Sequence, residues 1–417
     1  MACNFKNAWI CIGSLAVILA AAYAFLVYPK LVGDKINVAV DGHDRLGFGL
    51  YEYGTLSYYP DNRPTVMRGP LYPALIAVIL SLHRDSYPYN IQFAQALLHG
   101  LTCLLVFGAA AMLMDRRRAV IASLVCAVHP YLIWYSGRIV VESLSIFLFT
   151  ALSFCIIHFH QNPASGRAVA AGCVLGASAL CKTTYVPFIL LLPLLLCMRK
   201  EDKMMRRYAI IIFFISAAIV APWTVRNFFL TGKFLPVHAL AGFNFHVGDS
   251  YAKNYWQSPL AYAKLVDLIE YDIGKDGKVM TVRWLEEASS ADGIEADNQL
   301  MAKSLKKYIA DPMFFLRKIG RNALMFWTLS SSKLASLVTI LMQIPLLACF
   351  TWGAMKFIKR HGARSGFCIP LWLVSAYFLF HLPIAALARY SVVLIPAMVM
   401  YAVYLVRSES NGPAMAL

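Results

Sequence analysis

Apolar runs of about 20 residues, the length that crosses a hydrocarbon core of about 30 Å, recur along this chain. With 59% hydrophobic and only 14% charged residues, and a mean hydropathy of +0.60, the sequence reads as an all-α polytopic membrane protein. That overrides the two or three soluble domains that 417 residues would otherwise suggest. Ten transmembrane helices are predicted, near 8–28, 89–113, 119–137, 139–159, 168–181, 184–198, 208–225, 334–355, 366–382 and 390–406. The first contains Ala22-Tyr23-Ala24, which resembles a signal-peptide cleavage site, but the apolar run continues to Tyr28, so a retained helix is expected.

Lys and Arg in short loops mark the cytoplasmic side. On one face fall Arg116, Arg117, Arg118, Arg167, Arg199, Lys200, Lys203, Arg206, Arg207, Lys356, Lys359, Arg360 and Arg364, with Lys6 and Arg407 at the two ends. Both termini are therefore expected in the cytoplasm. Most of the formal net charge of +16 is a topology signal and not a basic patch on a folded domain, which argues against nucleic-acid binding. The ten cysteines all lie in or at the ends of predicted spans with no CxxC, so they read as small apolar packing residues and imply no disulfide framework.

The chain divides into an N-terminal membrane module (1–225, with an outer-face loop 29–88), an outer-face subdomain (226–333) and a C-terminal membrane part (334–417). In the first loop Gly47, Gly49 and Gly54 interrupt short helical stretches, and Asp61-Asn62-Arg63-Pro64 reads as a turn. Pro70 to Leu82 is apolar but too short to span, as in an interfacial or re-entrant helix. In the second, helical spacing appears over Leu260–Tyr271 and Met280–Ala288. Asp311-Pro312 then reads as an N-cap and N1 proline. The helix it opens runs to Trp327, with Arg317, Lys318 and Arg321 on a separate side, and is expected to lie along the membrane surface with Trp327 in the interfacial belt. There are no internal repeats.

Polar residues at the outer membrane boundary form a short set: the acids Asp41, Asp44 and Glu142, the bases Arg68, Arg138, Lys182, Arg226 and Arg389, and the tyrosines Tyr72 and Tyr390. Glu142 stands four residues after Arg138, so the two are expected to pair on one helix face. Five cations around one mouth suit an anion such as a phosphate. Each also has a plainer reading: Arg226 and Arg389 as snorkelling anchors, Arg138 with Glu142 as a structural pair, Asp41 as a solvated loop acid, and Asp61 and Asp85 as turn residues. Gly47-Phe48-Gly49 has Glu52 where a dinucleotide fingerprint needs its third glycine. There is no Walker A string, HExxH or Asp-x-Asp; Glu295-Ala296-Asp297 is a weak substitute. No cofactor is required by any motif, although His43 beside Asp41 and Asp44 admits a divalent metal.

The ordered strings resemble the GT-C superfamily of integral-membrane glycosyltransferases, near the bacterial relatives of dolichyl-phosphate-mannose–protein mannosyltransferase and the aminoarabinose lipid A transferase. They are Asp41, Leu50-Tyr51-Glu52-Tyr53-Gly54, Arg68-Gly69-Pro70-Leu71-Tyr72-Pro73, His129-Pro130, Ser136-Gly137-Arg138, Glu142-Ser143-Leu144, Gly176 to Lys182, Pro222-Trp223-Thr224-Val225-Arg226-Asn227, and Arg389-Tyr390 with Pro396. The resemblance implies an inverting transfer from a polyprenyl-phosphate-linked sugar to a lipid, glycan or protein acceptor, on the outer face of a bacterial inner membrane. Asp41 or Asp44 would serve as base, Asp41 preferred, with Glu142 as a second acid. Arg68, Lys182, Arg226, Arg389 and Tyr390 would hold the donor phosphate, and Tyr72 and Arg138 the substrate. Two departures stand out: Asp44 and Arg45 occupy a stretch where the family has an aromatic residue, and Gly69 replaces a proline, read as a minor change in loop stiffness. The same residues also fit a transporter or flippase of an anionic polyprenyl lipid, or a polymerase or ligase using a lipid-diphosphate-linked glycan.

Overall fold

In lipid a backbone can satisfy its polar groups only internally, so apolar runs of this kind must be helical. The computed structural model describes residues 8–32, 42–197, 203–253, 291–330 and 333–407, and among them the regular elements are helices. Six are long and apolar enough to cross a membrane: Ala8–Leu31, Tyr89–Leu113, Glu142–Gln161, Lys203–Thr231, Lys333–His361 and Ala388–Leu405. A bent pair, Arg116–Ala127 with Pro130–Ser136, makes a seventh if counted as one span. The chain is thus an all-α multi-pass membrane protein, but the expected ten spans are corrected to six or seven. Ser165–Cys181, Thr183–Cys197 and Gly366–His381 are shorter apolar helices. At 1.5 Å per residue, the 17 residues of Ser165–Cys181 reach about 26 Å, less than the core thickness. Hydropathy registers such a segment as a span because it weighs apolarity and not helix ends, here Lys182 with an extended backbone (φ −144°, ψ 131°).

The bend of 50° between Arg116–Ala127 and Pro130–Ser136 has a local cause. Pro130 disfavours helix at the residue before it. His129 is accordingly extended, and its Nδ1 accepts from the backbone N–H of Tyr131 (3.3 Å), capping the next helix.

Glu142–Gln161 and Ala388–Leu405 sit at the centre of the bundle, with 72% and 78% of their apolar windows buried against 11% for the peripheral Lys333–His361. Ser165–Cys181 packs along Lys203–Thr231 through Gly172 and Gly176. A Cβ on Gly176 would stand 2.8 Å from Ile219 Cβ and 3.0 Å from the Ser216 carbonyl, so the close backbone approach depends on small residues four apart.

The two long connections pack against the bundle. His43–Tyr53 lies on Leu71–His83, with Gly47 so close to Ile76 that a Cβ would meet its Cγ2 at 2.3 Å. Leu71–His83, at 13 residues, is too short to span, as expected. The other connection forms Ala241–Lys253, Ala291–Ala310 and Pro312–Thr328; the helices expected over 260–271 and 280–288 lie outside the described residues. Asp311 does cap Pro312–Thr328, its Oδ1 accepting from the Phe314 N–H (2.8 Å). Two residues of that helix differ from expectation. Trp327 is buried against Phe326 and Phe378 instead of facing an interface. Lys318, expected beside Arg317 on a polar side, is fully buried.

Candidate functional site

A carboxylate removed from water must be paired. Glu142, the first residue of Glu142–Gln161, has no exposed surface. Arg389 grips it with two nitrogens, Nε to Oε1 at 3.1 Å and Nη2 to Oε2 at 3.2 Å. Lys182 Nζ donates to Oε1 at 3.2 Å. Lys182 follows the end of Ser165–Cys181, and Arg389 lies in the short Ala388–Ser391 helix. The Tyr390 ring lies 5.2 Å from Lys182 Nζ and packs on His381. Two cations against one carboxylate leave a net positive centre. Both remain partly exposed, at 14% for Lys182 and 20% for Arg389.

Arg138 does not share a helical turn with Glu142, because the helix starts at Glu142 itself and 137–141 is a turn. The four-residue spacing therefore carries no i, i+4 geometry. That turn is held through its carbonyls: Gln95 Nε2 donates to Ser136 O (2.9 Å) and Arg138 O (2.8 Å), and Gln92 Nε2 to Gly137 O (2.8 Å). Tyr72 is fully buried and donates to Gln95 Oε1 (2.7 Å).

Arg226 and Arg68 form a second basic group. Arg226 Nη1 donates to Thr65 O (2.7 Å) and Asn227 Oδ1 (3.1 Å), and its guanidinium stacks 4.4 Å from the Trp223 ring. The backbone there pairs Ala239 N–H with Val66 O (3.0 Å). His238 lies beside Arg68; burial, and secondarily the Arg68 charge, hold its pKa down to about 4 against the pull of the Ala239 carbonyl. With Nδ1 facing that carbonyl, Nε2 is the acceptor for Thr183 Oγ1 (3.1 Å). Thr183 adjoins Lys182, so His238 joins the two basic groups. Gly69 joins them again, since a Cβ there would stand 2.4 Å from Leu180 O. The glycine is a packing requirement of this wall and not a minor change in stiffness.

Asp41 lies outside the described residues. Asp44 is buried in the first turn of His43–Tyr53 and accepts from the Tyr87 hydroxyl at Oδ2 (3.0 Å). Burial raises its pKa, offset in part by the Arg45 N–H and by Tyr87. Burial, and then the charges of Glu142 and Asp44, raise the Tyr72 phenol well above its ordinary value. His43 turns its ring edge to Tyr72 at 5.3 Å. Among the described residues no three His, Cys, Asp or Glu side chains come together as metal ligands.

Sequence reasoning passed over Gln92, Gln95, Tyr87, Thr183 and His238. The two glutamines carried a usable signal, being amides three apart inside an apolar span. Tyr87, Thr183 and His238 carried none, because their partners are distant in the chain.

Residues 64–225 match the family model described as dolichyl-phosphate-mannose-protein mannosyltransferase. No curated protein matches the chain in sequence. Among solved structures, the Archaeoglobus fulgidus oligosaccharyltransferase tethered with an acceptor peptide superposes with a TM-score of 0.58 at 16% identity, covering 96% of this chain and 49% of that one. The oligosaccharyltransferase AglB from Archaeoglobus fulgidus, in complex with an inhibitory peptide and a dolichol-phosphate, gives 0.56 at 15% identity over 96% and 50%. ArnT from Cupriavidus metallidurans, bound to undecaprenyl phosphate, gives 0.44 at 12% identity over 94% and 78%. The chain spans about half the length of the two archaeal proteins. Residues 64–225 are thus similar to dolichyl-phosphate-mannose-protein mannosyltransferase, and the chain as a whole shares the fold of the membrane part of the archaeal oligosaccharyltransferases it matches.

Proposed function

We propose that this protein is an inverting glycosyltransferase that moves a sugar from a polyprenyl-phosphate donor to an acceptor on the non-cytoplasmic face of a bacterial inner membrane. The observation that carries this reading is the pair Lys182 and Arg389, fixed by the fully buried Glu142 and still partly exposed. A polyprenyl phosphate gains negative charge as the bond from its oxygen to the sugar C1 breaks, and cations already held in place stabilise that charge without reorganising. Arg68 and Arg226 extend the positive wall. Glu142 then serves as the counter-ion that aims the cations, while the base comes from the Asp41–Asp44 segment. There a carboxylate takes the acceptor hydroxyl proton as the oxygen attacks C1 opposite the leaving phosphate. The arginines and lysines of the short loops gather at the other end of the helices, which supports cytoplasmic termini.

The test follows release of free polyprenyl phosphate by mass spectrometry, using full-length protein, a panel of polyprenyl-phosphate sugars and a membrane extract as acceptor source. Turnover is expected for wild type and is expected to disappear in either Asp41→Asn or Asp44→Asn with donor binding retained, which chooses the base. If Asp44 is that base, its raised pKa moves the acidic limb upward: the rate falls as pH drops through a value above the ordinary carboxylate range. Lipid phosphate that binds and crosses the bilayer without losing its sugar would overturn the transferase.

A further inference from the structure

Asn322 is fully buried in Pro312–Thr328, yet its Oδ1 has no hydrogen-bond partner. An orphaned buried acceptor is costly, and a leucine of similar shape would avoid that cost. What the asparagine does make is one bond, Nδ2 to Leu382 O at 2.7 Å. Leu382 opens the segment that leads to Arg389. The far end of that segment is tied to the same helix unit, Ala388 N–H donating to Leu329 O at 2.9 Å. Its middle is pressed by Ala241–Lys253: a Cβ on Gly248 would stand 1.8 Å from Ile384 O. Phe243 of that helix packs with Leu329, Leu387 and Tyr390.

We infer that Asn322 is a positioning residue for Arg389, and that the layer formed by Ala241–Lys253 and Pro312–Thr328 holds residues 382–388 as a clamp. The clamp sets where the Arg389 guanidinium meets Glu142 and a donor phosphate. The effect on donor binding rests on the function proposed above; the clamp itself does not. A bidentate arginine works only if its backbone is fixed, since its fork must match two oxygens at once.

Asn322→Leu separates positioning from bulk stability. It removes the orphan Oδ1 and frees the Leu382 carbonyl, one unpaired acceptor for another, so the thermal midpoint should stay near that of wild type. Hydrogen exchange on the full-length protein in nanodiscs should show faster exchange at the amides of residues 384–391 in the variant. With a polyprenyl-phosphate sugar as donor, its KM should rise about tenfold, the value of one charge-assisted hydrogen bond, with acceptor KM unchanged. Gly248→Ala, which pushes on Ile384 from the other side, should give the same KM change. Asn322→Leu combined with Arg389→Ala should be no worse than Arg389→Ala alone. Unchanged exchange in Asn322→Leu overturns the clamp. Independent, multiplying effects of the two substitutions overturn its action through Arg389. A wild type that turns over no donor instead sinks the proposed transferase, and the exchange measurement still decides the clamp.

Discussion

Glu142 shows how a single residue can be found in a sequence while its partners are missed. Its place at a span end was legible, as were Lys182 and Arg389, because ionisable groups stand out in apolar sequence. Its partners were not, since Arg389 is 247 positions away and no local spacing encodes that meeting. Arg138, four residues upstream, offered a false partner because the helix boundary falls between them. The observed geometry makes a specific forecast for Glu142→Gln. Removing the charge leaves Lys182 and Arg389 facing each other across a neutral amide, and breaking a buried pair in this way costs about 3–5 kcal/mol, less here in proportion to the partial exposure of both cations. The variant should melt earlier in detergent, and added polyprenyl phosphate should restore more of its stability than it adds to wild type, because the phosphate replaces the lost negative charge. If Glu142 were the base instead, stability would hold and only kcat would fall.

At the scale of elements, Pro312–Thr328 was read correctly in extent and cap but wrongly in its faces. An amphipathic pattern assigns one buried side, whereas this helix packs on Ala241–Lys253, Ala291–Ala310 and the bundle. Lys318 therefore lies inside, where Nζ donates to Asp249 Oδ1 (2.9 Å), Tyr308 Oη (2.6 Å) and Phe245 O (3.1 Å). Asp249 accepts further from Ser304 Oγ (3.1 Å) and Tyr308 Oη (2.6 Å), so one carboxylate ties the three loop helices together. A second carboxylate does similar work: Asp297 accepts from the N–H groups of Gly242 (3.1 Å) and Phe243 (2.8 Å), at the start of Ala241–Lys253. Lys318→Met removes the nearer of two cations from Asp249, leaving Lys307 at 3.9 Å, and should destabilise this layer by up to about 3 kcal/mol, read as loss of amide protection in residues 291–328. Adding Asp249→Asn should recover much of the loss, because no weakly paired carboxylate then remains buried. Equal protection in wild type and Lys318→Met would show that the layer is held by apolar contacts alone.

For the whole molecule, the membrane class, the order of strings and the helical loops were legible because hydropathy and residue type are local properties. The number of crossings was not, because it depends on where helices stop and bend. Sidedness depends on which of the short helices cross. Ser165–Cys181 and Thr183–Cys197 follow one another through Lys182, so counting both or neither as spans leaves every later loop on the same side. The bent pair and Gly366–His381 are different, since each stands alone and its crossing changes parity. The start of the bent pair lies by Arg118, whose Nη2 donates to Val406 O (2.6 Å) and whose guanidinium stacks 4.9 Å from the Tyr404 ring. Its end leads to the turn before Glu142, at the opposite end of Ala388–Leu405 from Val406. That geometry favours the bent pair as a full crossing among the described residues; placing Arg389 on the Glu142 face, and both termini on the other, then requires the short Gly366–His381 helix to cross as well. Arg117 and Lys306, both exposed, should then face opposite sides of the membrane. Arg117→Cys should react with a membrane-impermeant maleimide only after permeabilisation, and Lys306→Cys in intact cells, above the background of the native cysteines. Labelling of both from the same side would mean that the bent pair turns back within the membrane, and the basic loops could no longer be used to orient the site.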